Sequence, residues 1–294
     1  MRKTKTFCRI CEAQCGLVVT TENDRVTAIE PNTDHVVSKG YACIKGLKMG
    51  DFAHSPDRLT TPLKKVDGEF QPIDWETAIE EIAAKLREIQ QRHGGASIAA
   101  YSGNPIGFSM WPMVALTWFL KAFGSDKLFT PGTQDCASKF AGGTRLFGGP
   151  NEQVFPDIDH TSLLIAVGSN PVISKMSFIQ MPHPMKRIKA VEERGGKVYW
   201  VNPRRTESAK QAGTHVPIRP DTDVFFMLGF LNEVLARGTY ERGHIDAHMD
   251  GFDELAAIAA PWTPERCADA TGIAAATLRQ LVSDYLAADG AALY

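Results

Sequence analysis

Four cysteines near the start of the chain constrain what it can fold into more than any other feature. Cys8, Cys11 and Cys15 lie in the short segment CRICEAQC, and Cys43 follows in GYACIKG, which gives the spacing C-x2-C-x3-C-x27-C. Four converging thiolates bind either a tetrahedral zinc ion or an iron–sulfur cluster. Structural zinc sites usually draw their ligands from two close pairs, whereas the three-plus-one spacing here favours a [4Fe–4S] cluster. Zinc and free core thiols remain the alternatives.

Composition and charge exclude several classes of protein. The chain has 294 residues and a net charge of −2, so nothing indicates a nucleic-acid partner. It has no apolar run long enough to span a bilayer, which predicts that there is no membrane segment. The N-terminal MRKTKTFC has neither the apolar segment of a secretory signal nor a twin-arginine pair. We therefore expect a cytoplasmic protein, where clustered cysteines are more often metal ligands than disulfides.

The sequence predicts two domains of different character. Residues 1–60 form a small cysteine-rich domain, in which LVVTTENDRVTAIEP predicts a β-hairpin that turns at Asn23-Asp24. Residues 61–294 have an α/β pattern that begins with a helix capped by Asp74 and stopped at Gly94-Gly95.

The second half of the chain repeats the order strand, loop, helix. The apolar segments TSLLIAVGSNP, KVYWVNPRR and THVPIRPDTD are each followed by a helical pattern, the first of them over residues 178–194. Repetition of this unit predicts a doubly wound parallel sheet with helices on both faces.

The loops that follow these strands are rich in groups that hold nucleotides. In open α/β sheets, ligands bind beyond the carboxyl ends of the strands. The first loop offers the slim backbone of Gly168, Ser169 and Asn170, and the second offers Asn202 with the guanidinium groups of Arg204 and Arg205. Asp223 opens the helix after the third loop. Each loop alone also fits a plain turn, a solvated edge or, at Asp221, a helix cap, and no GxGxxG fingerprint supports a Rossmann NAD site.

Two further side chains are candidates for chemistry. Cys136, in TPGTQDCASKF, is predicted at a helix start, where a lowered pKa would make it a thiolate ligand or nucleophile; the alternative is an inert buried cysteine. Lys45, two residues after Cys43, is placed to lie against an anionic cluster or a second cofactor, unless it is a solvated surface lysine. Cys267 is interpreted as a core residue.

Together these segments resemble a known family. CRICEAQCG, YACIKG, DRLTTPL, IDWETAIEEIA, VGSNP, VNPRRTESA and IRPDTD occur in the order found in molybdopterin-dependent oxidoreductases of the dimethyl sulfoxide reductase superfamily, which includes formate dehydrogenases and nitrate reductases. The resemblance implies a two-electron redox enzyme for a small-molecule substrate, with a [4Fe–4S] cluster, bis-molybdopterin guanine dinucleotide, and molybdenum or tungsten.

The resemblance also implies a role for each candidate residue. Cys8, Cys11, Cys15 and Cys43 would bind the cluster, and Lys45 would lie between the cluster and a pterin on the electron path. The three loops would hold one guanine dinucleotide. Cys136 would be the protein ligand of molybdenum or tungsten. Electrons would leave to a redox partner protein, such as a ferredoxin, a flavoprotein or a cytochrome-type subunit.

The sequence departs from the family pattern at three places. Formate dehydrogenases of the family place a histidine after the metal ligand, whereas Ala137 follows Cys136 here, which disfavours formate oxidation. The third loop has Asp221 where the family often has glycine. The end at ADGAALY resembles the start of a buried strand, which predicts a fragment of a longer enzyme that is incomplete alone; the alternative is an edge strand at a natural terminus.

Two other interpretations compete with the enzyme. One is a non-catalytic electron-relay protein that resembles the large iron–sulfur subunit of respiratory complex I and needs neither Cys136 nor the nucleotide loops. The other is an α/β binding protein stabilised by zinc.

Overall fold

The computed structural model describes residues 1–103, 106, 109–150, 152, 154–175 and 181–294. The chain divides into two compact units, Met1–Gln153 and Val154–Tyr294.

The first unit is built from short strands and helices. Its strands are β1 (Arg2–Phe7), β2 (Gly16–Glu22), β3 (Arg25–Pro31), β4 (Leu63–Val66), β5 (Glu69–Pro72), β6 (Ala100–Tyr101) and β7 (Leu128–Phe129). Its helices are α1 (Ile44–Leu47), α2 (Met49–Ala53), α3 (Trp75–His93), α4 (Met110–Phe123), α5 (Gly132–Asp135) and α6 (Ala137–Phe147), with a 3₁₀ turn at Gly95–Ser97.

An antiparallel sheet carries the first three cysteines. Strands β1, β2 and β3 pair in that order, and the segment with Cys8, Cys11 and Cys15 connects β1 to β2. The next connection, from β2 to β3, turns at Asn23 and Asp24, whose φ angles of 48° and 57° suit a two-residue hairpin turn. The predicted hairpin is therefore confirmed, and it continues the sheet that holds the cysteine loop.

Helix α3 begins and ends where the sequence predicts. The Asp74 side chain accepts a hydrogen bond from the backbone N–H of Thr77 at 2.8 Å, and Gly94 ends the helix with φ of 78°. The apolar periodicity that predicted the helix does not predict burial: Trp75, Ile79 and Ile82 are 66%, 61% and 60% exposed.

The second unit contains the parallel sheet. Its strands are β8 (Leu163–Val167), β9 (Lys197–Asn202), β10 (Thr214–Pro217) and β11 (Ala291–Leu293). Its helices are α7 (Pro171–Ser174), α8 (Pro184–Glu193), α9 (Asp223–Arg237), α10 (Arg242–His248), α11 (Phe252–Ala259), α12 (Pro264–Thr271) and α13 (Ala275–Ala287).

This sheet is covered on both faces, as the sequence predicts. Among the described residues its strand order is β10-β9-β8-β11, and every neighbouring pair is parallel. Because side chains alternate along a strand, Leu163 and Ile165 pack into one core with α9, α12 and α13, whereas Leu164 and Ala166 pack into another with α8. Burial on both faces explains the continuous apolar run of β8.

Helix α8 starts later than the sequence predicts. Residues 178–180 of the predicted helix lie outside the described residues, and the described helix begins at Pro184. Proline suits the first helical position because it needs no N–H partner there, and His183 before it is left-handed with φ of 51°. In the described part of the chain, no helix is both long and apolar enough to cross a membrane.

The burial of β8 on both faces of the sheet leads to a prediction about stability. Leu164 is fully buried, whereas Val224 at the start of α9 is 57% exposed. Leu164→Ala should lower the free energy of unfolding of the sheet by about 2–5 kcal/mol, because it leaves a cavity, and the control Val224→Ala should change it by less than about 0.5 kcal/mol. Native-state hydrogen exchange of the sheet amides measures both, and equal effects would contradict the assignment of β8 to the core.

Candidate functional site

The first three cysteines lie on a closed loop. The backbone N–H of Cys8 donates to the carbonyl of Cys15 at 2.8 Å, which continues the β1–β2 ladder across the mouth of the loop. Within the loop, the N–H of Gln14 donates to the carbonyl of Cys11 at 3.2 Å, and Gln14 is left-handed with φ of 42°. The backbone therefore fixes three thiols on a segment of eight residues at the end of the sheet.

Cys43 reaches this loop through a close backbone contact. It caps the N-terminus of α1, and the next turn brings the buried Gly46 against the first cysteine. A Cβ atom at Gly46 would lie 3.1 Å from Sγ of Cys8, which is tighter than ordinary contact. A larger residue would require the thiol to shift by a few tenths of an ångström, so Gly46 lets the segment GYACIKG pack closely against CRICEAQC.

Electrostatics confirm that the thiols act on one another. The pKa of Cys15 is raised to about 11, first by burial and then by the charges of Cys11, Cys8 and Cys43. The pKa of Tyr41 is raised to about 12 by burial and by the charges of the cysteines beside it. A thiol with such a raised pKa gives up its proton when it coordinates a cationic centre, so a cysteine-ligated iron–sulfur cluster fits Cys15.

The described residues do not provide a site for a single metal ion. Among them, no three His, Cys, Asp or Glu side chains are grouped closely enough to hold one ion. The four thiols are thus within electrostatic reach of one another without converging on one atom.

Lys45 supplies a positive charge next to these thiols. It lies in the last turn of α1, is exposed, and its charge acts on Cys11, whose pKa is raised mainly by burial and lowered in part by Lys45. It is therefore both a surface lysine and a cation beside the cysteines.

Cys136 is placed as predicted but its thiol differs from the expectation. It is buried and directly precedes α6, where its carbonyl accepts from the N–H of Phe140 at 3.0 Å. Its pKa is raised rather than lowered, because burial and the charge of Asp135 outweigh the opposing charge of Lys139. The lowered pKa that the helix start predicts for Cys136 is therefore wrong.

The loop after β8 is held by hydrogen bonds from the loop after β9. Oδ1 of Asn170 accepts from Oγ of Ser208 at 2.7 Å, and Nδ2 of Asn170 donates to Glu207 at 2.7 Å. Asn202, which is buried, donates from Nδ2 to the carbonyl of Ser169 at 3.2 Å. Both asparagines thus link neighbouring strand ends.

Gly168 at the start of the first loop remains open to the surface. Its φ of 68° is a left-handed conformation that favours glycine, and no atom of the described residues lies within 4 Å of the position that a Cβ would take. The backbone after β8 therefore leaves room for a ligand to approach.

The charged groups of these loops differ in their partners. Both terminal nitrogens of Arg204 donate to Glu207, at 3.1 and 3.3 Å, and this contact lowers the pKa of Glu207 to about 2. Arg205 is exposed and has no hydrogen bond or ion pair with another described residue. Asp223 is exposed in the first turn of α9.

Thr222, rather than Asp221, occupies the N-cap position of α9. Asp221 is left-handed with φ of 64°, and the hydroxyl of Thr222 donates to the carbonyl of Arg219 at 2.6 Å. The alternative of Asp221 as a helix cap is therefore wrong. Cys267 is fully buried in one core of the sheet, as predicted.

Sequence reasoning missed Gly46, Glu207 and Ser208. The last two belong to the segment VNPRRTESA, in which the two arginines are recognisable as anion-binding groups from the sequence alone. A carboxylate three residues after Arg204 was the available signal for an ion pair.

Comparison with known proteins decides the family. Residues 58–277 match the model described as molybdopterin oxidoreductase, and residues 1–55 match the molybdopterin oxidoreductase Fe4S4 domain. The chain belongs to the molybdopterin oxidoreductase family. It thus combines an N-terminal domain of the [4Fe–4S]-binding type with a molybdopterin domain, and the resemblance seen in the sequence is confirmed.

The relatives of this family member include several redox enzymes. The chain is 28% identical over 274 residues to the F420-dependent formate dehydrogenase subunit alpha of Methanocaldococcus jannaschii, covering 91% of this chain and 38% of that one. It is 28% identical over 289 residues to a nitrate reductase of Symbiobacterium thermophilum, covering 94% and 37%. The chain therefore spans about two fifths of the length of these relatives.

A solved structure shares the fold. Acetylene hydratase from Pelobacter acetylenicus matches with a TM-score of 0.79 and 21% identity, over 99% of this chain and 40% of that chain. At this identity the similarity concerns the fold alone.

The contact between Gly46 and Cys8 can be tested by substitution. Gly46→Ala should displace Sγ of Cys8 and weaken iron binding by about tenfold or more, the scale expected when the support of a metal ligand is lost. The control is Gly142→Ala in α6, where a Cβ meets nothing within 4 Å. Iron content per chain after purification measures the effect, and equal iron in the two variants would contradict the packing argument.

Proposed function

We propose that the full-length protein is a molybdenum or tungsten oxidoreductase with bis-molybdopterin guanine dinucleotide, which relays electrons through a [4Fe–4S] cluster. The cluster ligands are Cys8, Cys11, Cys15 and Cys43. The carrying observation is that one closed loop holds three of these thiols and Gly46 of the Cys43 segment packs against Cys8, in a chain whose sheet also joins two nucleotide-type loops.

The residues of the second unit would hold one guanine dinucleotide. Gly168 and Ser169 offer an open backbone after β8, while Asn170 and Asn202 keep this loop aligned with the next one. Arg204 and Arg205 provide guanidinium groups at the end of β9, and Asp223 provides a carboxylate for donors at the start of α9.

Cys136 would be the protein ligand to the metal. A buried thiol with a raised pKa is not reactive by itself, but coordination to a metal deprotonates it. When bound, the metal supplies the two-electron chemistry on a small-molecule substrate. Cys136 fixes one of its coordination positions.

Lys45 would support electron exit. Its exposed ammonium acts electrostatically on Cys11, so it stabilises added negative charge at the cluster. We propose that electrons leave the full-length protein to a redox partner protein, such as a ferredoxin, a flavoprotein or a cytochrome-type subunit. None of the six cysteines forms a disulfide, and we propose a cytoplasmic setting for the protein.

The small side chain after the proposed ligand bears on formate as a substrate of the full-length protein. Ala137 follows the proposed ligand, so this position provides no imidazole for proton transfer. We therefore favour a reaction other than formate oxidation. An electron-relay protein without molybdenum would need neither Cys136 nor the linked loops, and their presence favours the enzyme.

Replacing the proposed ligand tests this function. Cys136→Ser in the full-length holoenzyme should lower turnover by more than the roughly 10–100-fold that outer-shell changes cost, and X-ray absorption at the metal should show one sulfur ligand fewer. The cluster spectrum should stay unchanged, because the four cluster cysteines are untouched.

The matched control is Cys267→Ala, which removes a thiol from a core of the sheet. It should retain the sulfur coordination of the metal. Wild-type coordination and turnover in Cys136→Ser would overturn the assignment of Cys136.

A further inference from the structure

Glu207 connects the two loops that the proposed function assigns to the nucleotide. Its carboxylate accepts from Nδ2 of Asn170 at 2.7 Å across 37 positions of sequence, and from both terminal nitrogens of Arg204. Its neighbour Ser208 is fully buried and continues the link, because its Oγ donates to Asn170 and accepts from the N–H of Val172 at 3.0 Å. The dipeptide Glu207-Ser208 therefore holds the whole start of the loop after β8.

The ion pair gives the two arginines different roles. Arg204 forms an ion pair with Glu207 at 3.1 Å, whereas Arg205 has no partner among the described residues. A carboxylate placed beside a pyrophosphate would repel it if it were not paired, so the pairing with Arg204 removes that cost. The net positive charge offered to an anion at the end of β9 then comes from Arg205.

From this geometry, and on the basis of the proposed function, we propose that Glu207 is a positioning residue of the cofactor site. It orients Asn170 and engages Arg204, and it leaves Arg205 as the guanidinium that binds the anionic part of the dinucleotide. Glu207 itself does not touch the cofactor. Preorganisation of this kind lowers the cost of ordering the loops when the ligand binds.

The test uses the full-length holoenzyme and measures cofactor retention rather than activity. The protein is incubated at fixed temperature, and the guanine nucleotide that remains bound is hydrolysed and quantified per [4Fe–4S] cluster over time. Glu207→Ala should speed release by about 10–100-fold, as expected for the loss of an outer-shell partner. Glu207→Gln keeps an acceptor oxygen for Asn170, so its release rate should stay closer to that of the wild type than to that of Glu207→Ala.

Substitutions of the arginines test whether Arg205, rather than Arg204, binds the anionic part of the dinucleotide. Arg205→Gln should speed release more than the double variant Arg204→Gln/Glu207→Gln, which removes the ion pair without leaving an unpaired carboxylate. Equal rates in these two variants would overturn the assignment of Arg205.

The remaining outcomes separate this proposal from the proposed function. Wild-type holoenzyme that contains no guanine nucleotide would refute the proposed function. Wild-type protein that contains it, with unchanged release in Glu207→Ala, would refute only the role of Glu207. If both Glu207 variants release the nucleotide fast and have a lowered melting temperature, so that glutamine does not rescue binding, Glu207 has a structural role. That outcome would also refute its role as a positioning residue.

Discussion

The first unit depends on the cost of gathering four thiols in a partly buried place. Burial and the charges of the neighbouring cysteines raise the pKa of Cys15 to about 11, so this thiol favours its neutral form until a cationic centre binds. The backbone makes this arrangement possible: the hydrogen bond from Cys8 to Cys15 closes the loop, and Gly46 brings the segment of Cys43 against it. The same repulsion that opposes ionisation of the thiols becomes a source of affinity for a cluster, because binding removes it.

The second unit rests on a different constraint, which is a parallel sheet buried on both faces. Covering both faces leaves the strand ends as the place where polar loops meet the solvent. Here Asn170, Asn202 and Glu207 use their side chains to fasten one loop to the next. The two loops are therefore joined by hydrogen bonds before any ligand binds. The exposed groups that make no such hydrogen bond remain available to a ligand.

The sequence was sufficient for features that local chemistry determines. Asp74 and Gly94 mark the ends of α3 because capping needs only neighbouring residues, and the doubly wound sheet follows from the repeated strand–loop–helix order. The four cysteines and the family were also predictable, because their spacing is itself a signal.

The features that long-range contacts determine were not predictable. The contact of Gly46 with Cys8 and the link between Glu207 and Asn170 join residues 38 and 37 positions apart. The pKa of Cys136 was predicted in the wrong direction, because burial depends on packing that the helix start does not reveal. The exposed apolar side chains of α3 show the same limit, since periodicity predicts a helix without saying what covers it.

The nature of the centre bound by the four cysteines is the most direct test of this account. Anaerobically purified protein should contain iron and acid-labile sulfide in equal amounts. Its absorbance at about 400 nm should bleach when dithionite is added, as expected for a cysteine-ligated [4Fe–4S] cluster. Replacement of Cys43 by serine should remove most of this absorbance. A colourless protein that contains one zinc ion per chain would contradict the account.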